Sequence, residues 1–184
     1  MRYFIGFFAT VLLIILLIVL LVRGGNNKPK TANQPKPLSS YSATNSEVSL
    51  TIDGPVVANS LHRQIQIRVD RDNATYEQFT GYDGQSVNQQ QFSNTENAYE
   101  AFLLALQQAG FTNGDKTVTQ EERGFCPQGQ RFIYVLKQDD KVISRYWAAT
   151  CGTTRSYLGN VSLTNNLFQA QIPGYNKLIQ GVNL

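Results

Sequence analysis

Three hydrophobic patterns follow one another along this 184-residue chain. The first is a continuous apolar run at residues 4–22, in which sixteen of nineteen residues are Phe, Ile, Leu or Val and none is charged. A helix of that length spans about 28 Å, close to the thickness of a bilayer's hydrocarbon core. The pattern predicts a transmembrane helix over residues 4–22 behind a short tail at residues 1–3, with the lipid bilayer as its partner.

Two other fates of this apolar segment stay open. Val22 and Gly24 are small enough for a signal-peptidase site, although the run exceeds the roughly 7–15 apolar residues of a cleaved signal. Gly6-Phe7 resembles the processing junction of type IV pilins, but the acidic residue that this family carries five positions in corresponds to Val11 here. We therefore expect a signal-anchor that stays in the membrane.

The segment after the apolar run, residues 23–46, reads as a flexible linker. It has three prolines, two glycines, many small polar residues and no hydrophobic period. Residues 1–46 hold five Lys or Arg and no acidic residue, whereas residues 47–184 hold eleven basic and thirteen acidic side chains. Residues 1–46 thus carry +5 and residues 47–184 carry −2, so the positive charge lies in the membrane-proximal part. We therefore expect no nucleic-acid partner for the domain.

From residue 47 onward the second pattern is an alternation of apolar and polar side chains. Val48, Leu50 and Ile52 alternate with polar residues, and a second strand carries Leu61, Ile65, Ile67 and Val69 on one side. A period of two predicts half-buried antiparallel strands. Residues 75–80 and 85–92 extend this meander across turns at residues 70–73 and 81–84.

The third pattern is helical. Ser93, Asn94 or Thr95 can cap a helix, with Glu96 at the third position of a capping box after Ser93. An apolar stripe at helical spacing follows, formed by Tyr99, Phe102, Leu103 and Leu106. Gly110 supplies the left-handed position that ends many helices. A second, shorter helix is predicted over residues 161–171 after Asn160, with Leu163, Leu167 and Phe168 inward.

Between the two helices lie three predicted strands. The first covers residues 117–125, and the other two, residues 131–138 and 142–150, form a hairpin around Asp139-Asp140. The fold class is therefore α+β: an N-terminal transmembrane helix, a flexible linker, and an antiparallel sheet with one main helix packed on it and a short C-terminal helical segment. Residues 47–184 are expected to form a single domain.

The hairpin register brings two cysteines close together. With Gln138 opposite Lys141, Cys151 lies opposite Gln128, two residues from Cys126. The separation suits a disulfide between Cys126 and Cys151, the alternative being two free buried thiols. The absence of a neighbouring histidine argues against a zinc or redox site.

The chain offers little catalytic chemistry. Its single histidine, His62, is predicted on the solvent side of a strand, and no P-loop, G-x-G-x-x-G or G-x-S-x-G motif is present. We expect no catalytic residue, metal ligand or cofactor. The aromatic residues Tyr134, Tyr146, Trp147 and Tyr157 form a candidate binding surface if their face is exposed, and ordinary sheet core otherwise.

These observations favour a non-enzymatic, single-pass membrane protein whose extracytoplasmic domain binds a protein or glycan of the cell envelope. The paired cysteines favour an oxidising location, so the N-terminus is expected in the cytoplasm, although four basic residues between residues 23 and 36 oppose this orientation. The alternatives are an envelope hydrolase built from dispersed carboxylates, and a protease-inhibitor-like domain that presents the turn at residues 126–129.

Overall fold

The computed structural model of the protein describes residues 36–184, of which Pro37–Leu184 form one compact unit. The predicted tail at residues 1–3, the transmembrane helix at residues 4–22 and the first part of the linker lie outside the described residues. Within residues 36–184, no helix has both the length and the apolar character needed to cross a membrane.

Six antiparallel strands form one sheet in the described part of the chain. Its order is β4-β3-β2-β1-β5-β6, so β1 is central and pairs with β2 on one side and with β5 on the other. The strands are β1 (Ser46–Asp53), β2 (Arg63–Asp70), β3 (Asn73–Thr80), β4 (Gln85–Ser93), β5 (Arg131–Gln138) and β6 (Lys141–Ala149). The antiparallel sheet, the main helix packed on it and the short C-terminal helix confirm this part of the predicted α+β fold.

The alternating residues of β1 and β2 form the centre of the hydrophobic core. Their apolar side chains are buried and face one another across the strand pair as Val48–Val69, Leu50–Ile67 and Ile52–Ile65. Leu61, which the alternation assigned to the same face, is exposed because it lies in a 3₁₀ turn before β2 begins.

The main helix, α1 (Glu96–Gln108), begins and ends as the sequence predicts. Among the three candidate caps, Thr95 accepts the backbone N–H of Ala98. Gly110 has a φ of 81°, and the backbone N–H of Phe111 donates to the Leu106 carbonyl at 3.0 Å, which completes a Schellman motif. The whole predicted stripe is buried against the sheet: Tyr99, Phe102, Leu103 and Leu106.

Two short helices complete this layer. Asn160 caps α2 (Val161–Ala170), whose Phe168 is buried as predicted while Leu163 is exposed. Thr164 is the inward residue at the start of α2, because its hydroxyl hydrogen-bonds the buried Tyr157 hydroxyl at 2.7 Å. The helix α3 (Tyr175–Leu178) follows, and the residues after it pack against the core.

The folded unit starts earlier than predicted. Leu38–Tyr41 form a 3₁₀ turn in which both end residues are buried, so residues 37–46 are not part of a linker. The backbone N–H of Leu38 donates to the Gln107 side chain of α1 at 2.8 Å. The linker assignment was wrong here because two apolar residues in a polar segment make no recognisable period.

On the second face of the sheet, irregular chain instead of a strand covers part of β6. Residues 117–125 contain no strand, which corrects the prediction for that segment. Trp147 of β6 packs against Phe125 with ring centroids 4.8 Å apart and donates its indole N–H to the Thr119 carbonyl at 2.8 Å. Arg145 donates to the Gln120 carbonyl and to the Glu122 carboxylate. We call residues 115–130 the covering segment.

The β5–β6 hairpin has the predicted turn with one change of register. Asp139 and Asp140 have φ values of 48° and 64°, the positive values that two-residue hairpin turns require. Gln138 faces Lys141 as predicted, but a bulge between Leu136 and Lys137 shifts the remaining pairs by one residue.

Candidate functional site

One end of the sheet gathers the chain's irregular loops. β1 ends there and β2 begins, and the loop between them, residues 54–62, meets the turn at residues 81–84 and the disulfide-bonded turn at residues 126–129. Antiparallel connectivity explains this grouping, because every second connection of a meander lies at the same end. We call residues 54–62 the end loop.

A buried ionic cluster lies beneath the end loop. Asp53 at the end of β1 pairs with Arg131 at 2.7 Å and with His62 at 3.1 Å. The Arg131 guanidinium also donates to the Gly54 carbonyl. Burial raises the pKa of Asp53 and outweighs the opposing effects of Arg131 and His62. The cluster joins the first and last residues of the end loop to β5.

His62 belongs to this cluster and is not solvated, which corrects the prediction of an outward side chain. One ring nitrogen contacts Asp53, the other lies 3.3 Å from the Pro55 carbonyl, and the ring stacks on Tyr82 at 4.1 Å. The predicted alternation misplaced His62 because β2 begins at Arg63, so His62 lies just before the strand and not within it. Both nitrogens face protein oxygens, so neither is directed at a substrate.

Backbone hydrogen bonds fix the rest of the end loop. The N–H of Val56 donates to the Pro127 carbonyl at 2.7 Å, which links the loop to the disulfide-bonded turn. The Tyr82 hydroxyl accepts from the Val57 N–H at 2.9 Å and donates to the Val57 carbonyl at 2.8 Å. Asn59 accepts the N–H of Tyr82 at 2.7 Å. The loop is therefore held along its whole length.

The rigid end loop exposes apolar side chains to solvent. We define the end patch as Val56, Val57, Leu61 and Tyr82, which are between 38% and 63% exposed. A groove of about 300 Å³ adjoins it, lined by Pro55, Val57, Leu61, Arg63, Gly181, Asn183 and Leu184. Apolar side chains clustered on one surface are typical of a contact site for another molecule.

The disulfide supports this end of the molecule. Cys126 and Cys151 lie at disulfide distance with Cα atoms 5.5 Å apart, which confirms the predicted pair. The bulge in the hairpin moves Cys151 one residue away from the predicted position opposite Gln128. Gly129 is required at the turn, because a Cβ there would lie 2.6 Å from the Cys126 sulfur.

The four aromatic residues considered as a binding surface are buried, which agrees with the alternative of ordinary sheet core. Tyr134, Tyr146, Trp147 and Tyr157 are between 0% and 6% exposed. Tyr134 and Tyr157 pack against each other with ring centroids 4.2 Å apart beneath α2, and Trp147 lies under the covering segment. They are core residues because both faces of β5 and β6 are covered.

The residues of the end patch were missed by sequence reasoning. Val56 and Val57 follow Asp53-Gly54-Pro55, and a short apolar pair after a turn carries no periodic signal. Leu61 was assigned to the core by alternation. Only Tyr82, in a turn rich in glycine, had a context that indicates exposure.

The opposite end of the sheet carries an acidic groove of about 420 Å³. Its acidic residues are Glu47, Asp70, Asp72, Asp139 and Asp140. Glu47 faces Asp70 across β1 and β2, and burial raises the pKa of Glu47. The described residues include no set of three or more His, Cys, Asp or Glu side chains arranged to hold a metal ion.

No known protein family matches the chain, and no curated protein is significantly similar to it.

Proposed function

We propose that the protein is a non-enzymatic binding module of the cell envelope that contacts a partner protein through the end patch. The observation that carries the proposal is the exposure of three apolar side chains of the end loop together with Tyr82, which contacts it. The loop is fixed by the Asp53–His62–Arg131 cluster and by the disulfide-bonded turn. A contact surface that is already rigid loses little conformational entropy on binding.

The chemistry of the end patch favours a protein partner over a glycan. Val56, Val57 and Leu61 offer branched aliphatic area, which suits an apolar segment of another protein. Tyr82 is the one aromatic ring in the patch, and its hydroxyl already pairs with Val57. Because a sugar needs polar contacts as well as a flat ring, the patch offers it little.

A matched pair of leucine substitutions tests this function. The full-length chain carrying Leu61→Ser should lose a protein partner captured from envelope extracts, whereas Leu158→Ser should retain it. Leu61 is 63% exposed inside the patch and Leu158 is 57% exposed outside it. Equal capture by both variants would reject the end patch as the contact surface.

We further propose that residues 4–22 anchor the protein in the membrane with the N-terminus in the cytoplasm and the domain outside. The disulfide supports an oxidising location. A membrane-impermeant thiol reagent should label intact cells only after reduction, since Cys126 and Cys151 are the only cysteines in the sequence. Labelling that requires lysis would reverse the orientation.

A hydrolase is a second candidate, favoured by the raised pKa of Glu47 opposite Asp70 in the acidic groove. Two carboxyl groups that face each other in one groove are the arrangement that general acid–base hydrolysis of glycans uses. Glu47→Gln should then abolish hydrolysis of cell-wall glycan, and a wild-type chain without such activity removes this candidate.

The protease-inhibitor alternative places the contact at the turn of residues 126–129, and substitution of the exposed Gln128 by alanine tests it directly.

A further inference from the structure

We propose that strand β4 pairs antiparallel with β4 of a second copy of this chain, so that two sheets become one. β4 lies at the edge of the sheet, with β3 as its neighbour on one side. Its nine residues, Gln85–Ser93, include four glutamines and one asparagine but no charged residue and no proline. This edge is separate from the end patch and does not depend on the proposed function.

Edge strands usually carry features that prevent pairing with other chains. Charged side chains, prolines and covering segments are the common ones. The opposite edge, β6, has Lys141 at its start, and the backbone of Trp147 is already hydrogen-bonded to Ser156 and Tyr157. β4 has a single bulge near Val87 and is otherwise regular from Asn88 to Ser93. Among residues 36–184, β4 is therefore the edge of the sheet that lacks such protection.

The backbone groups of β4 are oriented for such pairing. The N–H of Asn94 donates to the Asp72 carbonyl at 2.8 Å, so residues 72 and 94 form a hydrogen-bonded pair. Because hydrogen-bonded and non-hydrogen-bonded pairs alternate, Asn88, Gln90 and Phe92 direct their backbone groups at β3. The N–H and C=O groups of Gln89, Gln91 and Ser93 then point to the open edge.

The side chains fit a second copy of the same strand. In a two-fold symmetric antiparallel pair, the residue on the axis meets its own counterpart, so a charged residue there would face the same charge. Every other residue meets the one at equal distance on the other side of the axis. Amide side chains both donate and accept hydrogen bonds, and identical amides can pair. With the axis at Gln90, Gln90 faces Gln90 and Gln89 faces Gln91 of the second copy.

A cysteine scan of the full-length chain tests the pairing. The native cysteines are both in the disulfide, so an introduced thiol has no other partner. Residues facing each other in a non-hydrogen-bonded pair have Cα atoms about 4.5 Å apart, within the range of a disulfide. Gln90→Cys should form a reducible dimer after mild oxidation. Gln85→Cys, whose counterpart lies about 30 Å away at about 3.4 Å per residue, should not.

Charge substitutions in the Gln90→Cys chain test the direction of pairing. Gln89→Lys with Gln91→Lys places lysines opposite each other and should reduce the dimer band at least fivefold. Gln89→Glu with Gln91→Lys makes two complementary pairs and should keep it. Both positions are exposed, but Gln89 lies opposite Glu77 of β3, so circular dichroism of each variant must first show that the fold is kept. Equal dimerisation of the two charge variants would overturn the proposal, and so would equal dimerisation of Gln90→Cys and Gln85→Cys. Either result would mean that β4 does not pair with β4 of a second copy, and that a strand of another protein is the better candidate for this edge.

Discussion

Replacing Arg131 by methionine should destabilise the domain by about 3 kcal/mol. The substitution removes the 2.7 Å ion pair with Asp53 and the hydrogen bond to the Gly54 carbonyl. Breaking a buried ion pair by removing one partner typically costs about 3–5 kcal/mol, because a charge is left uncompensated. The lower value applies here because His62 remains 3.1 Å from Asp53, whose side chain is 17% exposed.

The assay is urea denaturation of the full-length chain at neutral pH, followed by circular dichroism. Arg123→Met is the matched control, because that arginine is 84% exposed and solvent screens its pair with Glu121, so its loss should be far smaller. The double variant Asp53→Asn/Arg131→Met should lose at least about 1 kcal/mol less than the sum of the single losses. Strict additivity, or equal losses from Arg131→Met and Arg123→Met, would refute the buried cluster.

Three other predictions concern stability. Cys126→Ala and Cys151→Ala should each lower the free energy of unfolding by about 3.5 kcal/mol for a separation of 25 residues, and the double variant no further; additive losses in urea denaturation would mean independent thiols. Burial raises the pKa of Tyr175 from 10.0 to about 12, so its stabilising contribution is complete below about pH 10 and is lost toward pH 12. The loss is about 1.4 kcal/mol per pH unit, and Tyr175→Phe should flatten this alkaline decline. Gly114→Ala should lower the melting temperature, because its Cβ would overlap the Tyr146 ring at a cost of about 1–3 kcal/mol.

The regular elements were predictable because their signals are local. The helix α1 has its cap, its apolar stripe and its C-terminal glycine within sixteen consecutive residues, Thr95–Gly110. The turn at Asp139-Asp140 and the alternation in β1 are equally local. In each case neighbouring residues carry all the information that the element needs.

The candidate site was not predictable in the same way because its contacts join distant segments. Alternation assigns Tyr146 and Trp147 to opposite faces, but it does not say that the chain at Gly114 packs on the first and the covering segment on the second. His62 is placed by Asp53 and Tyr82, which lie nine and twenty residues away in the sequence. Burial of each face depends on such long-range packing, which a single sequence leaves undetermined.

The position of Trp147 gives the protein a built-in optical probe. It is the only tryptophan in the chain, and it lies between β6 and the covering segment, on the side of the sheet away from the helices. Its emission wavelength therefore reports whether water reaches that side, and helical ellipticity reports the other. Recording the two signals together during unfolding shows whether the covering segment detaches from the sheet first or the whole domain unfolds in one step.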